Sequence, residues 1–172
     1  VMEVCLSAGA TQSQWCFRSP TFRWTASMPT LSAPHFLTAR QEIAGLAVVD
    51  LATEFGTPLY IYDWASIEAR ISDLSAFDVI RYAQKACGNL AILDRMRKRG
   101  VVVDAVSAGE IRRALAAGYS ADPGKHEIVY TADIFDRESL DLVIEHALPV
   151  NCGSPDMISQ LGERRPGSDV TL

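Results

Sequence analysis

The feature that most constrains the fold is a repeated alternation of short apolar segments and helical segments in the second half of the chain. Five apolar segments rich in β-branched residues occur at residues 79–83, 101–106, 127–131, 149–152 and 169–172. Residues 90–99, 108–117, 137–146 and 156–161 separate them and have helical periodicity. Strands that alternate with single helices are typical of a parallel sheet, so the pattern predicts an α/β fold.

Local signals support this assignment. Gly100 and Gly118 directly follow predicted helices, where glycine commonly ends a helix, and Asp136 has the side chain of an N-cap residue. Upstream, a helix is predicted to end at Gly56, and we expect Leu46, Val49, Leu51, Ala52 and Phe55 to line one of its sides. A strand over 57–63 and a helix over 65–74 follow.

The repeat length suits either a TIM barrel or a doubly wound sheet. A TIM barrel needs about 250 residues, so a chain of this length would contain only part of one. A nucleotide-binding doubly wound sheet would carry a G-x-G-x-x-G loop after its first strand, and the sequence contains no such motif.

Residues 1–27 differ from the rest of the chain. They mix tryptophan and cysteine with Ser, Thr and Gln at no clear period, and they lack the charge and apolar pattern of a signal peptide. We predict a non-family extension, disordered or non-native, and take Met28 as a plausible start. The predicted barrel domain therefore spans residues 28–172.

Composition narrows the functional classes. The net charge of -5 gives no reason to expect nucleic-acid or membrane-surface binding, and no apolar run approaches the roughly 20 residues of a membrane span. The cysteines form no C-x-x-C pair and the histidines are widely spaced, so we predict reduced thiols and no metal site. These residues are Cys5, Cys16, Cys87, Cys152, His35, His126 and His146.

Lys85 is the leading candidate for chemistry. It follows the apolar part of a predicted strand, and the carboxyl ends of parallel strands form the active-site edge of α/β proteins. A lysine that is partly desolvated there has a lowered pKa and can attack an aldehyde. The alternative is an ordinary solvated lysine.

A second polar group follows the next predicted strand, where Asp104, Ser107 and Glu110 occur among small residues. A carboxylate at this edge could hold the ammonium of Lys85, and helix amides there could face an anion. The alternative is a capping box, with Ser107 as N-cap and Glu110 at the third helical position.

Six stretches taken together resemble one family, in family order and at family-like spacing. They are residues 55–63, 82–86, 104–110, 114–118, 128–132 and 150–154. The pattern over residues 51–172 resembles the N-terminal half of the barrel-type (fold type III) amino-acid decarboxylases that use pyridoxal 5'-phosphate (PLP), and among them the diaminopimelate decarboxylases. Where these enzymes commonly have valine before the lysine and Ala-Asn-Ser-Asn after it, this chain has Gln84 and residues 86–89, Ala-Cys-Gly-Asn.

The resemblance implies a PLP-binding TIM barrel of the alanine racemase type, present here to about its fifth strand. It implies that Lys85 forms the Schiff base with PLP, that Asp104 lies close to it in the cofactor site, and that Glu110 supports them. It also implies a cytoplasmic homodimer that converts meso-2,6-diaminopimelate to L-lysine, the last step of lysine biosynthesis.

Three alternatives stay open. One is another decarboxylase of this fold, acting on ornithine, arginine or carboxynorspermidine. Another is a PLP-binding protein without decarboxylase activity, or a racemase relative, and the third is a truncated remnant. Because the family's phosphate-binding glycine loop and ring-stacking histidine would lie beyond Leu172, we expect the isolated chain to be inactive.

Overall fold

The computed structural model describes residues 2–6, 39–122 and 124–172, with only the backbone described for residues 2–6. The described chain forms two compact units, residues 1–72 and 73–172. Apart from residues 2–6, which form a strand, the predicted extension over residues 1–27 lies outside the described residues. The predicted boundary at residue 28 therefore stays a prediction.

The described part of the first unit contains short strands and two helices. They are β1 Met2–Leu6, β2 Glu42–Ile43, β3 Leu46–Ala47, α1 Val48–Phe55, β4 Leu59–Asp63 and α2 Trp64–Ser72. Strands β1 and β4 pair in parallel, and β2 and β3 form an antiparallel hairpin. Helix α1 ends at Gly56 with φ 78°, as predicted.

The predicted apolar side of α1 was wrong at two positions. Leu51 is buried, but Leu46 and Val49 are 45% and 70% exposed. Ala44 and Gly45 both have positive φ, as in the tight turn that a two-residue hairpin needs. Leu46 therefore belongs to the hairpin and not to the helix.

The second unit contains the predicted alternation. Its elements are β5 Arg81–Ala83, a 3-10 turn Gln84–Ala86, α3 Leu90–Lys98, β6 Val102–Ala105, α4 Ala108–Ala116, β7 Ile128–Ala132, α5 Arg137–Glu145, β8 Val150–Cys152 and α6 Pro155–Arg164. The four strands form one parallel sheet in the order β5-β6-β7-β8. The predicted α/β fold with a parallel sheet is confirmed. The predicted fifth strand forms a single bridge, between Asn151 and Thr171.

The two faces of this sheet have different chemistry because strand side chains alternate. On one face, Val103, Ile128 and Tyr130 are buried with the apolar sides of the helices, including Leu93 and Ile111, in one core. The register places polar side chains on the opposite face, among them Arg81, Asp104, Thr131 and Asn151. The sheet therefore has an apolar helix-packed face and a polar face.

Side-chain caps begin the helices that leave the carboxyl edge of the sheet. Asn89, Ser107, Asp136 and Ser154 each accept hydrogen bonds from backbone N–H groups in the first turn of α3, α4, α5 and α6. Each cap satisfies donors that a helix N-terminus otherwise leaves unpaired. The predicted roles of Asp136 and Ser107 are thus confirmed, and the turns that carry polar residues are anchored.

Replacing Ser139 with alanine is expected to lower the free energy of unfolding by about 1–3 kcal/mol. Ser139 is fully buried, and its Oγ accepts a hydrogen bond of 2.9 Å from the backbone N of Ala108. The substitution would leave that buried N–H without its acceptor. Urea unfolding of the full-length protein measures the change. Ser159→Ala is the control because Ser159 is exposed and its hydroxyl donates to the Pro155 carbonyl of its own helix, and an equal loss there would contradict the prediction.

Candidate functional site

Lys85 lies at the carboxyl edge of the parallel sheet. It is exposed and occupies the middle of the 3-10 turn Gln84–Ala86, which begins directly after β5 ends at Ala83. The exposed side chain matches the solvated alternative and not a partly desolvated lysine, and its amine can reach a ligand at the edge where parallel α/β folds carry their sites.

The backbone and side chains around Lys85 hold this turn in place. The backbone N of Cys87 donates to the Gln84 carbonyl at 3.1 Å, and Tyr82 Oη donates to the Cys87 carbonyl at 3.1 Å. Burial raises the pKa of Tyr82, so its hydroxyl stays protonated and able to donate. After the turn, the carbonyl of Gly88 accepts a hydrogen bond of 3.0 Å from Arg113 Nη1.

Asp104 lies on the strand next to Lys85 and points to the polar face. It pairs in register with Ala83, two residues before the lysine. Its Oδ1 is buried and has no hydrogen-bond partner among the described residues. A buried carboxylate oxygen is costly to leave unpaired, so this atom needs a donor such as an ammonium or a ring N–H.

Arg81 lies on the same polar face, and it was not identified as a candidate site residue from the sequence. Its guanidinium donates to the carbonyl of Val103 in β6 at 2.9 Å and to the carbonyl of His126, in the loop before β7, at 3.2 Å. Burial lowers the pKa of Arg81, and the nearby Asp104 charge opposes that shift. The sequence did contain a signal that could have identified Arg81. It is an arginine at the start of an apolar strand, and strand alternation puts it on the same face as Ala83.

Glu110 has a structural role that the capping alternative anticipated. Ser107 Oγ accepts from the Glu110 backbone N at 3.3 Å, and Glu110 Oε2 accepts from the Val106 backbone N at 2.9 Å. The carboxylate bonds one residue before the N-cap, unlike a standard capping box, in which it bonds the N-cap itself. Glu110 thereby fixes the turn that follows Asp104, which fits a supporting position.

A second polar pair occurs at the carboxyl ends of the next strands. Asn151 Nδ2 donates to Thr131 Oγ1 at 2.8 Å across β7 and β8. The following turns also meet, because Gly153 N donates to the Ala132 carbonyl at 2.9 Å and Ser154 Oγ donates to the Asp133 carbonyl at 2.7 Å. These contacts extend the polar edge beyond Lys85 and Asp104.

Gly153 is required where these turns meet, and Gly153→Ala is expected to lower the free energy of unfolding by about 1–3 kcal/mol. A Cβ there would overlap Oδ1 of Asp133 and lie 2.7 Å from the Ala132 carbonyl oxygen. The turn would have to move, and thermal or urea unfolding of the full-length protein measures the cost.

Gly162 is the matched control. It lies within α6 and has no atom within 4 Å of an added Cβ. Gly162→Ala is therefore expected to stabilise the protein by about 0.5–1 kcal/mol, since alanine loses less conformational freedom in a helix. Equal effects of the two substitutions would contradict the packing explanation.

The described thiols are unpaired. Cys87 is partly exposed near Lys85, and Cys152 is buried, which raises the pKa of its thiol. The side chains of Cys5 and Cys16 lie outside the described residues. A low-reactivity thiol at Cys152 fits a packing role in the core.

The family is identified by residues 65–172, which match the pyridoxal-binding domain of the pyridoxal-dependent decarboxylases. The chain belongs to the pyridoxal-dependent decarboxylase family. The matched region includes β5 to α6, and with them Lys85, Asp104 and Glu110. The predicted family resemblance is therefore confirmed.

Individual relatives agree with the family assignment. The chain is 57% identical over 121 residues to the diaminopimelate decarboxylase of Streptomyces coelicolor, covering 70% of this chain and 28% of that protein. A crystal structure of diaminopimelate decarboxylase superposes with TM-score 0.65 and 52% identity, covering 69% of this chain and 28% of that one. The Helicobacter pylori diaminopimelate decarboxylase complexed with L-lysine superposes with TM-score 0.58 and 29% identity, covering 67% of this chain and 30% of that one.

These relatives complete the fold assignment. The sheet and its helices are part of a barrel of the type that the decarboxylases share, as predicted. The chain spans less than a third of the length of these relatives. No helix in residues 39–122 and 124–172 has the length and apolar character that crossing a bilayer requires.

Proposed function

We propose that the full-length protein containing this chain decarboxylates meso-2,6-diaminopimelate to L-lysine with PLP, and that Lys85 holds the cofactor. The observation that carries the proposal is the exposed Lys85 amine at the carboxyl edge, beside a strand on which Asp104 has a buried carboxylate oxygen without a hydrogen-bond partner among the described residues. The 57% identity to a diaminopimelate decarboxylase supports the substrate. The L-lysine complex of the Helicobacter pylori relative supports the product.

The residues present fit PLP on chemical grounds. An aldehyde cofactor needs a primary amine that it can reach, and Lys85 is exposed in a turn that several hydrogen bonds hold. Asp104 Oδ1 requires a donor that no described residue gives it. Either the Lys85 ammonium or an N–H of the ligand would satisfy this oxygen.

Each residue has a defined task in the proposed reaction. PLP, when bound, supplies an electron sink that accepts the electron pair of the bond to the departing carboxylate. Lys85 Nζ holds the cofactor covalently at rest and, as a free amine, can hold or deliver a proton. Asp104 Oδ1 orients a positively charged donor, and Arg81 fixes the polar face by bonding β6 at Val103 and the loop before β7 at His126.

The proposal includes assembly and location. We propose a homodimer that acts in the cytoplasm, as expected from the family. The free thiols of Cys87 and Cys152 fit a reducing compartment. Sedimentation of the full-length protein at several concentrations tests the dimer, and a monomer at all of them contradicts it.

Carbon dioxide release tests the reaction. The full-length protein with PLP is mixed with carboxyl-labelled meso-diaminopimelate, and in parallel with labelled ornithine, arginine and carboxynorspermidine. We expect release from diaminopimelate and formation of L-lysine. Release only from one of the other substrates would support the corresponding alternative decarboxylase, and no release from any would contradict a decarboxylase function.

A further inference from the structure

Gln84, the neighbour of Lys85, is polar but buried. Its side chain is only 1% exposed, in contrast to the exposed Lys85 beside it. Burying an amide in place of an apolar side chain costs free energy unless all of its polar atoms find partners. An apolar side chain of similar size would avoid this cost, so the amide calls for an explanation beyond packing.

The hydrogen bonds of Gln84 are incomplete in a specific way. Its Nε2 donates to the backbone carbonyl of Glu110 at 2.7 Å, whereas its Oε1 is buried without a partner among the described residues. Turning the amide over would bring two oxygens together at Glu110, so the bond defines the orientation of the side chain. Within the described part of the chain, Gln84 thus has one short hydrogen bond and one acceptor without a partner.

This bond connects the two turns that carry the candidate site. Gln84 begins the 3-10 turn that holds Lys85, and Glu110 lies in the first turn of α4, directly after the turn that follows Asp104. The two residues are 26 positions apart in sequence. Glu110 itself is anchored by the bond from its carboxylate to the Val106 N–H. The Lys85 turn therefore cannot move without breaking the hydrogen bond between Gln84 and Glu110 or moving the start of α4 with it.

We propose that Gln84 is a positioning residue for Lys85, which ties the lysine-bearing turn to the start of α4 so that the amine faces the cofactor. The inference rests on the proposed function, because it assumes that Lys85 binds PLP. The amide bond restricts the backbone from which Lys85 projects, and a restricted backbone lowers the entropy cost of forming the lysine–cofactor bond. The cost of an Oε1 that no described residue pairs is offset because the bond from Nε2 fixes the turn.

The test compares Gln84→Met with the wild type in the full-length protein. Methionine has a similar length and is apolar, so it removes both the bond to Glu110 and the unpaired acceptor. We expect the apparent Kd for PLP, measured from the visible absorbance of the lysine–cofactor adduct, to rise about tenfold. The pH midpoint of that absorbance should also shift. The midpoint of thermal unfolding of the apo protein should not fall, since the unpaired acceptor has been removed.

Controls separate this role from general damage. Gln160→Met makes the same change on α6, away from the Lys85 turn, and should leave the Kd, the pH midpoint and kcat unchanged. Gln84→Asn keeps an amide, but its side chain is one methylene shorter and the amide lies farther from the Glu110 carbonyl. The apparent Kd for PLP should therefore rise in this variant too. It decides the question if the methionine variant does not fold. Unchanged PLP affinity and pH midpoint in whichever Gln84 variant folds would overturn the proposal.

A separate experiment tests the proposed function, in which Lys85 holds PLP. Borohydride reduction of the wild-type protein with PLP should label Lys85, as peptide mapping can establish. A label on another residue overturns the proposed function. A label on Lys85, combined with wild-type behaviour of the Gln84 variants, overturns only the inference about Gln84.

Discussion

Lys85→Met is expected to abolish covalent attachment of PLP in the full-length protein and to lower kcat/KM by about a thousandfold or more. Methionine matches the length of lysine approximately but has no amine, so neither the bond to the aldehyde nor proton transfer from Nζ can occur. Because Lys85 is exposed in its turn, the substitution should leave the fold intact. The loss of visible absorbance after PLP is added, and steady-state decarboxylation, measure the effect.

Lys125→Met is the control for this experiment. Lys125 is exposed in the loop before β7, remote in sequence from the turns that form the candidate site. It carries the same charge, so its removal tests whether loss of a lysine alone matters. We expect normal adduct formation and kcat. An adduct of wild-type stability in the Lys85→Met protein would exclude Lys85 as the attachment point.

Asp104→Asn is expected to have the second-largest effect, a decrease in kcat/KM of about 10- to 100-fold. The substitution keeps the size of the side chain but removes the negative charge of an oxygen that is buried without a partner among the described residues. A charged hydrogen bond to Lys85 or to PLP would become a weaker neutral one. The nearby Arg81 would also lose the opposite charge that favours its protonated form.

The pH profile and a matched variant decide whether Asp104 acts in the site. If its charge stabilises a cationic form of the lysine–cofactor adduct, Asp104→Asn should lower the pH at which the adduct loses its proton. Asp156→Asn changes an exposed carboxylate in the first turn of α6 and should alter neither kcat/KM nor this midpoint. A decrease in thermal stability with unchanged kinetics would instead assign Asp104 a purely structural role.

Local signals in the sequence predicted the helices well because capping chemistry acts over three or four residues. Asp136 and Ser107 bond the N–H groups at the starts of α5 and α4, and Gly100 and Gly118 have the positive φ values, 77° and 88°, that suit a residue after a helix. The helix predicted over 156–161 extends to Arg164 instead. Gly162 lies inside it without ending it, because glycine lowers helix stability by only about 1 kcal/mol.

The sequence by itself determined the parallel α/β alternation, the position of Lys85 directly after a strand, and the family to which these motifs belong. Only the tertiary structure decided which polar groups meet. Arg81 reaches the carbonyl of His126, 45 residues away, Gln84 reaches Glu110, and Asn151 reaches Thr131. The alternation of side chains along a strand predicts which face of the sheet a residue occupies. The hydrogen-bond partner of that residue depends instead on the register of the neighbouring strands. That register is set by packing of the whole core and not by any local segment.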